Sequence, residues 1–228
     1  MRPIYQRLSV PASLFGALLV CCCTAGPAAA QTTLITFDTD ALGAPITAPS
    51  TFALTTALRE TYAPLGVHFS GPTPDGGGAI LNQGAGFGVN ARSGVNFLAF
   101  SEGATLQNGG VPRPPETISF DFLVSDVSLY VSGGGNSATF TLDAFGAGNT
   151  LVTSSTVSTT AGAYSLLGVS FASGIQRVVL SETSADRGYV ADDLRFTQAI
   201  PEPCTGALAA AGLLPLAGAM VRKRRRRA

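Results

Sequence analysis

The stretch Thr117-Ile118-Ser119-Phe120-Asp121-Phe122-Leu123-Val124, followed two residues later by Val127-Ser128-Leu129-Tyr130-Val131, decides the fold. In the first run Ile118, Phe120, Phe122 and Val124 recur at every second position, and in the second run Val127, Leu129 and Val131 do the same. A period of two puts those side chains on one face of a strand, whereas a helix would need apolar residues three and four apart. Two strands are therefore expected, with Tyr130 out of phase with its apolar neighbours. Ser137–Phe145 repeats the pattern, setting Ala138, Phe140, Leu142 and Ala144 opposite Thr139, Thr141 and Asp143. The turn Gly146-Ala147-Gly148-Asn149 then leads into Leu151–Val157, which predicts a hairpin.

Working outward, Tyr164–Phe171, Ile175–Leu180 and the pair Leu194 and Phe196 continue the strand pattern. Upstream, Leu34–Phe37, Gly66–Phe69 and Val95–Phe100 read as strands in a looser, glycine-rich half. Helical spacing extends to no more than one turn near Ala57–Tyr62. Roughly ten strands in one domain predict an all-β, two-sheet β-sandwich of jelly-roll, lectin-like type. The run Gly71–Gly88 lacks the spacing of a phosphate-binding loop and reads as a surface loop. Val111–Pro115 reads as a stiff extended connector.

The chain has 228 residues with 14 Lys+Arg and 14 Asp+Glu, a formal net charge of zero. That zero hides three unlike parts. Residues 1–30 carry Arg2 and Arg7 and no acid. Residues 31–199 carry six Arg against thirteen Asp and Glu, a net of −7, and no Lys. Residues 200–228 carry six basic residues against Glu202. An anionic domain of this kind is not a nucleic-acid-binding protein.

The ends read as addresses. A basic start, an apolar run from Leu14 to Cys23 and the small residues Ala28-Ala29-Ala30 before Gln31 form the three parts of a signal peptide, 1–30. Cleavage by signal peptidase is expected after Ala30, with Ala28 and Ala30 as the small residues and Gln31 as the new N-terminus. At the other end, Pro201-Glu202-Pro203 precedes an apolar stretch, 204–221, and then Arg222-Lys223-Arg224-Arg225-Arg226-Arg227. At about 1.5 Å per residue such a helix spans about 27 Å, close to the hydrocarbon core of a bilayer, and the basic tail should stay cytoplasmic. An ordinary stop-transfer anchor would have this outline too.

Residues 200–228, with Pro-Glu-Pro, one apolar helix and an Arg-rich terminus in that order, resemble the PEP-CTERM sorting signal of Gram-negative bacteria. The resemblance implies an exosortase as partner, transient anchoring in the inner membrane, cutting near the tripeptide, and an exopolysaccharide or biofilm setting. Cys204 stands where that pattern usually has Ser or Ala.

All four cysteines lie in the end segments, so the domain 31–199 has no disulfide framework, thiol nucleophile or cysteine metal site. His68 is the only histidine, and no G-x-S-x-G elbow accompanies it. Glu60, Glu102, Glu116 and Glu182 could in principle serve glycoside hydrolysis, but nothing in the sequence pairs them. The reading is that the protein is not an enzyme.

Asp38 near the first strand and Asp192-Asp193 at the last could meet if those strands are neighbours. Close carboxylates repel unless solvated or bridged by a hard cation. The segments Ile35-Thr36-Phe37-Asp38, Leu65-Gly66-Val67-His68-Phe69 and Tyr189-Val190-Ala191-Asp192-Asp193-Leu194-Arg195-Phe196 resemble exported PEP-CTERM sandwich domains and carbohydrate-binding-module-like lectin folds. That resemblance implies a structural Ca²⁺ at Asp38, Asp192 and Asp193. With Trp absent, Tyr62, Tyr130, Tyr164 and Tyr189 are the aromatic platforms open to a sugar. The first functional reading is an exported, exosortase-sorted surface or matrix protein of structural or adhesive type. A Ca-assisted carbohydrate-binding module is the alternative, and a glycan-active hydrolase the third.

Overall fold

The computed structural model describes residues 29–183 and 188–200. Its strands are β1 (Thr32–Ile35), β2 (Val67–Ser70), β3 (Ala79–Asn82), β4 (Asn96–Ser101), β5 (Glu116–Ser132), β6 (Ala138–Phe145), β7 (Leu151–Thr159), β8 (Ser165–Glu182) and β9 (Gly188–Gln198). They form one antiparallel sheet in the order β3-β4-β9-β5-β8-β6-β7, with β1 added to β9 and β2 to β5. Four short 3-10 turns, at Phe52–Leu54, Ala63–Leu65, Gln83–Ala85 and Ala147–Asn149, stand in place of the turn expected near Ala57–Tyr62.

The two runs expected to be separate strands are one, β5. Its apolar phase changes because its pairing with β8 shifts register between Ser119 and Val124 and again between Val124 and Asp126. A bulge lets a strand bend while its apolar side chains still point inward. Before the bend β5 lies between β2 and the end of β8, and after it between β9 and the start of β8. The segments Tyr164–Phe171 and Ile175–Leu180 likewise merge into β8.

This bending folds the continuous sheet into two layers. One holds β2, the start of β5, the end of β8, β6 and β7. The other holds β3, β4, β9 with β1, the end of β5 and the start of β8. Rings from the two layers meet between them: Phe140 on β6 lies 5.1 Å from Tyr189 on β9, and Phe120 near the start of β5 lies 5.2 Å from Phe196 on β9. The β6–β7 hairpin forms as its alternation predicts, with Ala138, Phe140, Leu142 and Ala144 buried.

The glycine-rich stretch is not a plain surface loop. β3 runs through it, and a Cβ on Gly78 would come within 2.6 Å of Leu98 and Phe100, so glycine is what allows this approach. β4 is covered on both faces. Leu98 and Phe100 enter the main core, while Phe97 and Ala99 pack under Phe52, Phe87, Val89 and Ala91. Residues 83–95 therefore form a lid of irregular backbone on the outside of the second layer.

Among the described residues the strand pairings join β1 to β9 and enclose three apolar clusters, so the segment 29–200 carries a hydrophobic core of its own, as an independently folding domain does. Ala28 and the sorting residues Pro201, Glu202, Pro203, Arg222, Lys223, Arg224, Arg225, Arg226 and Arg227 lie outside the described residues. Among the described residues no helix is long and apolar enough to cross a membrane.

Candidate functional site

The irregular lid needs acceptors for backbone N–H groups that no ladder satisfies; Asp38 and Asp192 supply them, and Asp193 holds lid side chains. Asp38 Oδ1 accepts from Val95 N at 2.8 Å and Asn96 N at 3.1 Å. Asp192 Oδ2 accepts from Arg92 N at 2.8 Å and Ser93 N at 3.2 Å, and its Oδ1 from Asp193 N at 2.8 Å. Asp193 accepts from Ser93 Oγ at 2.6 Å and pairs with Arg92 Nη1. One of these acids, Asp193, sits at left-handed backbone with φ 51°, and Phe37, just before Asp38, has φ 64°. Gly94, at φ 55°, packs so tightly that a Cβ would overlap the Asp38 carboxylate.

Asp38 thus holds one end of the segment Arg92–Asn96, and Asp192 with Asp193 holds the other. Calcium does not fit the donor set as placed. Five backbone N–H groups, a hydroxyl and a guanidinium already use these carboxylates, and an ion would have to displace Arg92. Among the described residues no three His, Cys, Asp or Glu are grouped to hold a metal. Asp192 is fully buried, and burial pushes its carboxyl up to about 7 against the opposing pull of its N–H bonds.

Arg92 is the residue that the sequence reading missed. Its guanidinium lies flat on the Tyr130 ring, 3.4 Å from the centroid, while it pairs with Asp193. The expectation that Tyr130 leaves the apolar phase is met, and this cation covers it. The available signal was an isolated Arg in the polar segment Asn90-Ala91-Arg92-Ser93-Gly94 of a domain with few cations.

Beside Arg92 opens a cleft of about 540 Å³ lined by Gln83, Asn90, Arg92, Tyr164 and the backbone of Gly88 and Gly162. Its size lies within the roughly 300–1,000 Å³ of small-ligand sites. Three glycine turns join there: Gly135 N donates to Phe87 O at 2.7 Å and Gly162 N to Gly134 O at 2.6 Å. Gly134, at φ 64°, leaves no room for a side chain against Phe87 O. The Tyr164 hydroxyl is buried without a partner, and burial together with Asp192 and Asp193 pushes its pKa well up.

The other candidates fall elsewhere. Tyr62 and Tyr189 are buried core residues and offer no platform. His68 lies between Glu60 (Nδ1–Oε2 2.6 Å) and Asp121 (Nε2–Oδ1 3.1 Å), and the bond to Glu60 is the main cause of its raised pKa. Glu116 is buried and accepts from Gly78 N at 2.8 Å. Burial pushes its carboxyl up to about 8. None of Glu60, Glu102, Glu116 and Glu182 lines the cleft.

No family model matches the chain, and no curated protein matches it in sequence. Solved structures similar to it include the K1 cleaved adhesin domain of Lys-gingipain (Kgp) from Porphyromonas gingivalis W83. That likeness has 14% identity, covers 74% of this chain and 98% of that one, and has a TM-score of 0.46. The CBM22-1 xylan-binding domain from Paenibacillus barcinonensis Xyn10C is similar at 14% identity over 75% of this chain and 95% of that one, with a TM-score of 0.39. TmCBM61 in complex with β-1,4-galactotriose is similar at 14% identity over 63% and 98%, with a TM-score of 0.37. None of the three reaches a TM-score of 0.5, and the chemistry of the site rests on this chain's own side chains.

Proposed function

We propose that the protein is an exported surface or matrix module that binds carbohydrate, without catalysis, in the cleft beside Arg92. The observation that carries this reading is the half-buried Tyr164 ring in a cleft that it shares with the polar side chains of Gln83, Asn90 and Arg92 and the apolar Val89 and Ala91. Sugars present alternating hydroxyls and apolar ring faces, and such sites hold them with a few fixed polar groups and an aromatic ring. The lid is held by its own carboxylates, so the binding is calcium-independent.

The test is titration with a glycan array and the host's own polysaccharide, comparing wild type with Asn90→Ala. The variant removes an exposed amide from the cleft wall, so affinity should fall about tenfold while the melting temperature holds. Absence of any glycan ligand, or unchanged affinity in the variant, would end this assignment.

Delivery is the second part of the proposal. Signal peptidase would cut after Ala30, and an exosortase would act near Pro201-Glu202-Pro203 with 204–221 transiently in the inner membrane and Arg222–Arg227 inside. The support is the order of these features in the sequence. The mass and C-terminus of the mature protein in normal and exosortase-null hosts test it, and identical processing in both would refute sorting.

A further inference from the structure

β7 pairs with β6 on one side, and among the described residues no strand pairs with its other side. The lateral rim of the sandwich consists of β7, the 160–164 turn and the start of β8. Near Ser158 the rim is closed by the Ser165 hydroxyl, which donates to Ser158 O at 3.4 Å. Natural sheets guard such edges with Lys, Pro, bulges or charges, because unpaired N–H and C=O groups template further strand pairing. Here there is no guard of charge. No Asp, Glu, Lys, Arg or His occurs between Asp143 and Arg177, in a domain that elsewhere carries a net of −7. Leu151 and Leu166 are both more than half exposed on this rim.

We infer that the β7 edge is an interface with a second copy of this chain, formed by antiparallel β7–β7 pairing about a two-fold axis at Ser155. Such an axis stands perpendicular to the sheet and keeps both faces aligned, so residues of like parity oppose each other. Ser154 then faces Thr156 of the other copy on the outer side, twice, and Thr153 faces Val157 on the inner side, twice. The outer pairs repeat the hydroxyl contacts that already join β6 to β7, Thr139 with Ser158 at 3.0 Å and Thr141 with Thr156 at 3.2 Å. β-branched and hydroxyl pairs are favourable across antiparallel strands. A second copy is the occupant because the pairing opposes no like charges, and this rim is where two anionic domains repel least. A basic or acidic peptide would find no countercharge here, and a lipid surface no cation.

Residues 29–200, which contain no cysteine, are examined by sedimentation across a roughly hundredfold concentration range spanning micromolar affinities. The expected result is a monomer–dimer equilibrium. Thr156→Lys sets a cation on the exposed outer face of the edge, so self-association should weaken at least about tenfold with little change in melting temperature. Ser155→Cys should give a disulfide-linked dimer on oxidation, reversed by thiol, while Leu42→Cys, on an exposed turn elsewhere, should not. A monomer at every concentration overturns the inference. So does a dimer indifferent to Thr156→Lys that Ser155→Cys fails to cross-link. Should Thr156→Lys fold poorly, the Ser155→Cys result decides alone.

Discussion

The lid of residues 83–95 and the β6–β7 hairpin solve the same problem in opposite ways. In the lid the chain is irregular, so its N–H groups find acceptors in the side chains of Asp38 and Asp192, while Asp193 takes the side chains of Arg92 and Ser93. In the hairpin the ladder satisfies the backbone apart from one register shift near Val152, and side chains pair hydroxyl to hydroxyl across the strands or, at Ser154, hydroxyl to the Asp143 carboxylate. Charge therefore concentrates where backbone regularity fails and thins out along the ladder. One consequence is a lid fixed closely enough to shape a cleft. Another is an edge strand that carries no charge from Leu151 to Thr159.

Four measurements would break or sharpen this contrast. Gly94→Ala should have the largest effect: its left-handed backbone and the overlap with Asp38 predict a loss of about 3 kcal/mol in denaturant unfolding, whereas Thr156→Ala in the hairpin should stay within about 0.5 kcal/mol. Equal losses would show that the lid is no more constrained than the edge.

Glu116→Gln comes next. The folded pKa of Glu116 lies above its unfolded value, so its contribution is intact below about 4.5 and is lost as pH rises through about 8. The amide should therefore raise stability by about 2 kcal/mol at alkaline pH and leave it unchanged in acid, because it keeps the bond from Gly78 without a buried charge. A flat difference with pH would contradict the buried, neutral acid.

His68 is the exposed counterpart. Its pKa is raised, so the ion pairs with Glu60 and Asp121 stabilise below its unfolded pKa and fade as pH rises through the folded one. His68→Gln should lower the melting temperature by a degree or so at about pH 5 and match wild type at about pH 9. The smallest expected effect is none: EGTA and added Ca²⁺ should shift the melting temperature by less than about 1 °C, since a ligand that does not bind the native state cannot stabilise it. A rise of several degrees with Ca²⁺ would mean that the ion displaces Arg92 from the acids.

Much of the fold was legible because alternation is a local signal. Ala138, Phe140, Leu142 and Ala144 announced β6, and the glycine–asparagine turn announced its partner. The union of the two halves of β5 was less legible. A phase change between Val124 and Val127 looks the same in sequence whether it marks a turn or a bulge, and only the partner strands distinguish them. β3 was missed because four residues among glycines carry too little periodicity, and its burial is shared among three clusters, Ile80 in the main core, Leu81 with Phe97 and Ala99, and Ala79 with Ala57 and Leu106. The site was read in part. The three acids were picked out by position, and they hold the two ends of one segment through backbone N–H groups, the Ser93 hydroxyl and Arg92. Those partners are separated from Asp192 and Asp193 by about a hundred residues of chain, as the hydrogen bonds from Arg92 and Ser93 show.

The sequence by itself determined the all-β class, the strand faces, the anionic lysine-free character of the domain and the absence of cysteine chemistry within it. Each follows from composition or from a period of two, which a strand imposes on every residue it contains. The tertiary structure decided which tyrosines are buried, which acid meets which amide, where the cleft opens and which edge is left unpaired. These depend on contacts between residues far apart in the chain, and no local pattern encodes them until the sheet bends at β5 and brings both layers around one core.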